Sequence, residues 1–184
     1  LKSYDYTVVA IQWGLPGDLP LIGDYDGDGN ADLAVWRPTT GTWYILQSKK
    51  NYSSAPGDSF TVQWGLPGDH PMRGDFDGDG ALDLAVWRPV EGNWYLCLSS
   101  IGFDRTQALI EQFGLPDDMP IQADFDGDRI SDFVVWRPQL GTIIGNWYVK
   151  TSGSGEISEK QFGLPSDIPS GFGIRSRVRL LYNQ

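Results

Sequence analysis

The residues of this chain best suited to chemistry are clusters of aspartate that occur three times in the same pattern. Each cluster is nine residues long, with aspartate at positions 1, 3, 5 and 9, and the three copies span residues 24–32, 75–83 and 124–132. Four carboxylates this close together repel one another strongly unless a cation lies among them. Oxygen ligands at positions 1, 3, 5 and 9, with a backbone carbonyl available at position 7, suit Ca²⁺.

The pattern therefore predicts three Ca²⁺ ions per chain, one in each acidic loop. The predicted carboxylate ligands are Asp24, Asp26, Asp28, Asp32, Asp75, Asp77, Asp79, Asp83, Asp124, Asp126, Asp128 and Asp132. The predicted backbone carbonyl ligands are those of Asn30, Ala81 and Ile130. The third loop is expected to fit least well, because Arg129 stands where the other loops have glycine, at a position where a sharp turn can require a positive φ.

The acidic loops lie inside a longer repeat that must position them. A Gln-aromatic-Gly-Leu-Pro motif begins at Gln12, Gln63, Gln112 and Gln161, at steps of 51, 49 and 49 residues. In each complete copy the acidic loop begins 12 residues after the glutamine, and a Trp-Arg-Pro and then a Trp-Tyr sequence follow. A period of about 50 residues without a helical pattern indicates propeller blades or another array of β units. The repeats span about 14–64, 65–113 and 114–162.

Each repeat is predicted to contain four short β-strands. In the first repeat they cover residues 19–25, 32–37, 42–47 and 60–64, which are rich in Val, Trp, Tyr, Leu and Ile and are bounded by Gly, Pro, Asp and Asn. The acidic loop joins the first strand to the second. The sequence thus predicts an all-β fold in which each acidic loop closes a hairpin.

The motif that joins the loop to the second strand resembles a known family. Residues 24–38 read Asp-Tyr-Asp-Gly-Asp-Gly-Asn-Ala-Asp-Leu-Ala-Val-Trp-Arg-Pro, which is similar to the FG-GAP/VCBS type of repeat found in integrin-like β-propellers. The resemblance covers about residues 12–169. It implies four-stranded antiparallel blades around an axis, with Ca²⁺ in the hairpin between the first and second strands. It implies little about molecular function, since such blades occur in adhesion proteins, lectin-like proteins, polysaccharide lyases and many surface proteins.

The chain, interpreted as a single domain over residues 1–184, contains three full repeats and partial blades at both ends. Residues 4–13 are predicted to hold one unpaired strand, and residues 163–184 form a degenerate tail in which no acidic loop follows the last Gly-Leu-Pro. Propellers typically have four to eight blades. Three arrangements remain open: a piece of a larger propeller, a ring closed by two copies of the chain, or an open stack of blades.

Composition and charge narrow the classes of function. The net charge is −10, and three bound Ca²⁺ ions would bring it to about −4. An acidic chain is a poor match for nucleic acid, and there is no long apolar run for membrane insertion. Millimolar extracellular calcium would fill loops of this type, so the expected location is extracellular, at the cell surface or periplasmic.

No nucleophile and base pair, phosphate-binding glycine loop or histidine-containing metal site is evident, so we expect no enzymatic activity. The predicted function is a calcium-stabilised structural or binding module for a protein or carbohydrate ligand. Two alternatives remain: a lectin-like carbohydrate-binding protein and a part of a polysaccharide lyase.

Several recurring residues have both a structural and a binding interpretation. The six repeated tryptophans are expected to pack between blades, although they could stack on sugar rings; they are Trp36, Trp43, Trp87, Trp94, Trp136 and Trp147. Arg37, Arg88 and Arg137 are expected to bridge to carbonyls or a carboxylate rather than bind an anionic sugar. Asp69 and its equivalents are expected to be turn residues, so that Asp69→Ala should cost less stability than Asp28→Ala.

Overall fold

The computed structural model describes residues 10–138 and 144–169, which form three blades, each a four-stranded antiparallel sheet. Blade 1 contains β1 (Leu19–Pro20), β2 (Leu33–Arg37), β3 (Thr42–Leu46) and β4 (Ser59–Gln63). Blade 2 contains β5 (His70–Gly74), β6 (Asp83–Arg88), β7 (Asn93–Cys97) and β8 (Leu109–Gln112). Blade 3 contains β9 (Met119–Ala123), β10 (Asp132–Arg137), β11 (Asn146–Lys150) and β12 (Ile157–Gln161). The predicted all-β fold of propeller-type blades is thus confirmed.

In every blade the strands lie side by side in chain order. The second and third strands pair so that the repeated tryptophans face each other: Trp36 opposite Trp43, Trp87 opposite Trp94, and Trp136 opposite Trp147. The described residues contain no α-helix, and their two short 3₁₀ turns, Ser48–Lys50 and Arg105–Gln107, lie in the links between the third and fourth strands.

The first strand of blade 1 is shorter than predicted. The prediction covered residues 19–25, whereas β1 ends at Pro20 and continues only as an isolated bridge between Gly23 and Asp32. The prediction was wrong at its end because Tyr25 belongs to the acidic loop, where its amide donates to Asp32 Oδ2 at 2.8 Å. The other predicted strands of this blade agree with the structure to within one residue at each end.

The apolar core lies chiefly between neighbouring blades. Trp36, Trp43 and Ile45 of blade 1 form one buried cluster with Leu84 and Val86 of blade 2. A second cluster joins residues of blades 2 and 3 in the same way. Because neighbouring sheets bury their faces against each other, the hairpin between the second and third strands of a blade approaches the next repeat closely.

That close approach explains the glycine in the turn between the second and third strands. Gly41 has a φ of +62°, its carbonyl accepts from Trp64 N at 2.8 Å, and a Cβ at this position would lie 2.2 Å from the carbonyl oxygen of Gly65. Gly92 has the same relation to Gly114, with 2.4 Å in place of 2.2 Å. A side chain at either position would push the hairpin away from the start of the next repeat.

Part of what the sequence predicts for the ends lies outside the described residues. This holds for residues 4–9 of the predicted leading strand and for residues 170–184 of the tail. The described part of the leading segment, residues 10–13, is not a strand, but Trp13 is placed as in a blade. Its Nε1 donates to Tyr44 O at 3.2 Å, as Trp64 Nε1 donates to Tyr95 O at 3.2 Å one repeat later.

Candidate metal centres

Each acidic loop is held by the aspartate at position 9, which is fully buried in all three loops. Its two oxygens accept backbone amides from two separate segments. Oδ2 accepts the amide of the residue at position 2, at 2.7–2.8 Å, from Tyr25, Phe76 or Phe125. Oδ1 accepts the amide of a serine that follows the third strand, at 2.7–2.9 Å, from Ser48, Ser99 or Ser152. The carboxylate therefore closes the loop and ties it to the next hairpin.

The aspartate at position 1 organises the turn of the loop. In the first loop Asp24 Oδ1 accepts from Gly27 N at 2.7 Å, and Oδ2 accepts from Gly29 N at 2.8 Å. The other loops repeat both bonds, although in the third loop the amide of Arg129 takes the place of the second glycine. Arg129 has a φ of +75°, close to the +86° of Gly29, so the predicted backbone requirement at this position is confirmed.

The fold brings together three of the four carboxylates predicted in each loop. Positions 1, 3 and 9 each offer one oxygen, and these oxygens lie within 4.8 Å of one another. The triads are Asp24, Asp26, Asp32; Asp75, Asp77, Asp83; and Asp124, Asp126, Asp132. Among the described residues, these three triads are the groups of Asp, Glu, His or Cys that are compact enough to hold a metal ion.

The aspartate at position 5 is not part of these triads. Asp28, Asp79 and Asp128 each accept the amide of position 7 through Oδ1, at 2.7–2.8 Å. In the first loop Ser48 Oγ also donates to Asp28 Oδ2, at 2.8 Å. The ligand role of position 5, and of the carbonyls of Asn30, Ala81 and Ile130, stays a prediction.

The charges of the triads are poorly balanced by the protein. Burial raises the pKa of Asp83 to about 6, and the nearby charge of Asp77 adds to the shift, although backbone amides oppose it. Burial likewise raises the pKa of Asp32, with a contribution from Asp26. A bound cation would reverse both effects, because it stabilises the charged carboxylates.

Asp26 gives the most direct indication of a cation. Its side chain is 3% exposed, and within residues 10–138 and 144–169 neither of its buried carboxylate oxygens has a hydrogen-bond partner. Lys49 Nζ lies 3.3 Å from Oδ2 as an ion pair but does not satisfy hydrogen-bond geometry. A buried carboxylate without hydrogen bonds is costly. The residues of the first loop therefore fit a metal ion that binds both Asp26 and its neighbours in the triad.

The acidic pattern of the sequence did not point to the serines that contact the aspartate at position 9. Ser48, Ser99 and Ser152 each lie five residues after a repeated tryptophan, and this constant spacing was the available signal. Besides its amide, Ser99 donates its hydroxyl to Asp83 Oδ1 at 3.0 Å, and Ser152 donates to Asp132 Oδ1 at 3.2 Å. These serines position the aspartate at position 9 of each loop.

The repeated arginines bind carboxylates of their own blades, as predicted. Arg88 Nε and Nη2 donate to the two oxygens of Asp69 at 2.8 and 2.9 Å, and the guanidinium lies 4.2 Å from the ring centre of Tyr95. The same arrangement joins Arg37 to Asp18 and Arg137 to Asp118. Asp69 Oδ2 also accepts the amide of Leu66 at 2.8 Å. The arginine and the turn aspartate therefore form one structural unit.

The tryptophans are also structural. Trp36, Trp43, Trp87, Trp94 and Trp136 are 0–1% exposed, so they cannot stack on a sugar, and the predicted packing role is confirmed for them. Cys97 is buried in the cluster between blades 1 and 2, and burial raises the pKa of its thiol to about 11. A thiol with such a pKa is an unreactive core residue.

A family model described as an FG-GAP-like repeat matches residues 24–86, from the first aspartate of the first loop into β6. No curated protein and no solved structure gives a significant match. In the part of the chain that the structure describes, no helix is long and apolar enough to cross a membrane. The four-stranded antiparallel sheets have the form of β-propeller blades. Residues 24–86 therefore match an FG-GAP-type repeat.

Proposed function

We propose that this chain is a calcium-stabilised β-propeller-type module that holds three Ca²⁺ ions and serves a structural or binding role in an extracellular or cell-surface protein. The observation that carries the proposal is the convergence of three aspartates in each loop, to within 4.8 Å, with the oxygens of Asp26 buried and without hydrogen bonds. The proposal includes no catalytic activity, and turnover of an acidic polysaccharide by the purified chain would overturn that part.

The chemistry of the triads selects a hard cation. All of the converging ligands are carboxylate oxygens, which suit Ca²⁺ or Mg²⁺ better than metals that prefer nitrogen or sulfur. Calcium accepts six to eight oxygens in flexible geometry, so main-chain carbonyls and water can complete the shell. Bound calcium would supply positive charge at the point where Asp32, Asp83 and Asp132 are buried. Calcium-binding extracellular modules have dissociation constants of about 10⁻⁴–10⁻³ M, and a value in this range would fit the proposed location.

The test combines metal analysis with thermal unfolding. We expect three calcium ions per chain after purification in calcium, and a large fall in melting temperature when calcium is removed. A ligand that binds only the folded state contributes about 2.7 kcal/mol per site at a hundredfold excess over its Kd. Zero bound ions, or an unchanged melting curve without calcium, would refute the proposal.

A matched pair of variants separates calcium binding from the loss of negative charge. Asp77→Asn removes a carboxylate from the second triad and should reduce the bound calcium from three ions to two. Asp117→Asn removes the same charge outside the loops; Asp117 has a φ of +74°, which asparagine tolerates. Asp117→Asn should leave three ions bound.

A second candidate function, carbohydrate binding, has one observation in its favour. A cavity of about 400 Å³ opens between blades 1 and 2, and its lining includes Trp64, Tyr95, Gln63, Arg105 and Thr106. Arg105 and Thr106 lie on the 3₁₀ turn of blade 2. A glycan array screened with the wild-type chain and with Arg105→Ala tests this candidate. Binding that the variant loses would support it, and an array without signal would leave the structural role.

We also propose that a second copy of the chain is the partner that covers blade 3. Tyr25 of blade 1 is 1% exposed beneath blade 2, whereas the equivalent Phe125 of blade 3 is 52% exposed. Phe162 is 76% exposed, whereas Trp64 and Phe113 at the same position are half-buried. In blades 1 and 2, the face that carries these residues packs against the following blade. The corresponding face of blade 3 is exposed. Another blade of a larger parent protein would fit the same face, and the association test below distinguishes the two.

A further inference from the structure

The three acidic loops differ in the group that faces the aspartate at position 3. That group belongs to the residue after the positioning serine. In the first loop it is Lys49, whose Nζ lies 3.3 Å from Asp26 Oδ2. In the second loop it is the hydroxyl of Ser100, which donates to Asp77 Oδ2. In the third loop the residue is Gly153, which has no side chain.

The aspartate at position 3 is also more enclosed in the first loop than in the other two. Asp26 has a side chain only 3% exposed, whereas Asp77 and Asp126 are exposed. The segment that carries Lys49 is held against the first loop on both sides of the lysine. Ser48 contacts Asp32 and Asp28, and Tyr52 donates its hydroxyl to Ala31 O at 3.0 Å. The backbone that carries Lys49 is therefore fixed beside the triad.

We propose that Lys49 is an internal cation that competes with Ca²⁺ at the first loop, so that this site binds calcium more weakly than the second. The inference rests on the proposed calcium-binding function. Without metal, the ammonium partly neutralises a buried carboxylate that has no hydrogen-bond partner among the described residues. When Ca²⁺ binds, the ammonium must leave Asp26 or lie close to a divalent cation, and either change weakens binding.

The lysine can make this movement because it is half in solvent. Its side chain is 45% exposed, so it can swing into water while Asp26 stays in place. This exposure also limits the size of the effect. Ion pairs of this kind contribute up to about 1 kcal/mol, which corresponds to about a fivefold change in the calcium dissociation constant. The first loop would thus respond to calcium at higher concentrations than the second while depending on it less for folding.

The test is a calcium titration followed by ¹H–¹⁵N correlation spectra of the intact chain. The amides of Gly27 and Gly78 bond to the position 1 aspartates of the first and second loops, so each reports its own site. In the wild-type chain the midpoint at Gly27 should lie at higher calcium than the midpoint at Gly78. Lys49→Met keeps the aliphatic stem and removes the charge, and it should lower the Gly27 midpoint three- to fivefold.

Lys50→Met is the matched control. Lys50 lies in the same 3₁₀ turn, is exposed, and takes part in none of the ion pairs found among the described residues. It changes the net charge by the same amount, so a shift of equal size in both variants would overturn the proposal. Unequal wild-type midpoints in the opposite order would also overturn it, even if Lys49→Met failed to fold. If no glycine amide responds to calcium, the calcium-binding function itself fails, which is a different result.

Discussion

The buried ion pair between Asp69 and Arg88 gives the sharpest prediction of stability. Asp69→Ala removes two charge-assisted hydrogen bonds to Arg88 and one to the amide of Leu66. The side chains of Asp69 and Arg88 are 3% and 16% exposed, so the arginine would stay largely buried without its partner. Breaking a buried pair typically costs about 3–5 kcal/mol. The structure thus changes the sequence-based expectation that this substitution would be mild.

We expect Asp69→Ala to lower the free energy of unfolding by about 3 kcal/mol, near the lower end of this range, because Arg88 keeps some solvent contact. It also keeps the ring of Tyr95 and the carboxylate of Glu91, whose Oε1 lies 3.6 Å from Nη1. For a chain of this size, 1 kcal/mol shifts the melting temperature by about 2–4 °C. Asp69→Ala should therefore lower it by about 6–12 °C.

The assay is thermal and urea unfolding in saturating calcium, with Asp167→Ala as the control. Asp167 occupies the same turn, and its Oδ2 accepts the amide of Leu164 at 2.8 Å, but it is exposed and has no arginine partner among the described residues. The control should cost about 1 kcal/mol or less. Equal losses in the two variants would show that the turn, and not the ion pair, accounts for the effect. A double-mutant cycle with Arg88→Ala should return a coupling energy above about 1 kcal/mol.

Three further predictions follow from the loops and the open face. Arg129→Gly should stabilise the chain by about 1–2 kcal/mol in chemical unfolding, because it removes a non-glycine residue from positive φ, whereas Gly80→Ala should destabilise it by a similar amount. Metal-free protein should become more stable as the pH falls from about 7 toward 4, because the pKa of Asp83 is about 6 in the folded state and near 3.9 when unfolded; greater stability at pH 7 than at pH 5 would contradict this. Mass measurement in solution should show a dimer that Phe162→Lys weakens and the equally exposed Val90→Lys does not, and a monomer at high concentration would refute association.

The sequence predicted the blades well because their signals are local. Short strands rich in β-branched and aromatic residues, separated by glycine and proline, define the sheets without knowledge of their packing. Three of the four carboxylates of each loop converge as predicted, because they lie within nine residues of one another. The exposure and pairing of Asp69 were not predictable in this way, since its partner is 19 residues distant.

A repeat also hides its own contacts. Asp18 and Arg37 are 19 residues apart, as are Asp69 and Arg88, but many pairs of repeated residues keep a constant spacing whether or not they touch. Constant spacing therefore shows that a residue belongs to the repeat unit without showing what it touches. Ser100 and Gly153 stand where the first repeat has Lys49, so a comparison of the repeats does not single out the lysine.

The first aspartate of a loop links metal binding to the packing of blades. The side chain of Asp24 organises its own loop, while its backbone carbonyl accepts the amide of Leu82 in the next loop at 2.7 Å. Asp75 accepts the amide of Ser131 in the same way at 2.6 Å. Because one residue serves both the predicted ion and the neighbouring blade, a loop that loses its cation and relaxes would also lose a hydrogen bond between blades. Calcium would thus stabilise the contacts between the sheets as well as the loops themselves.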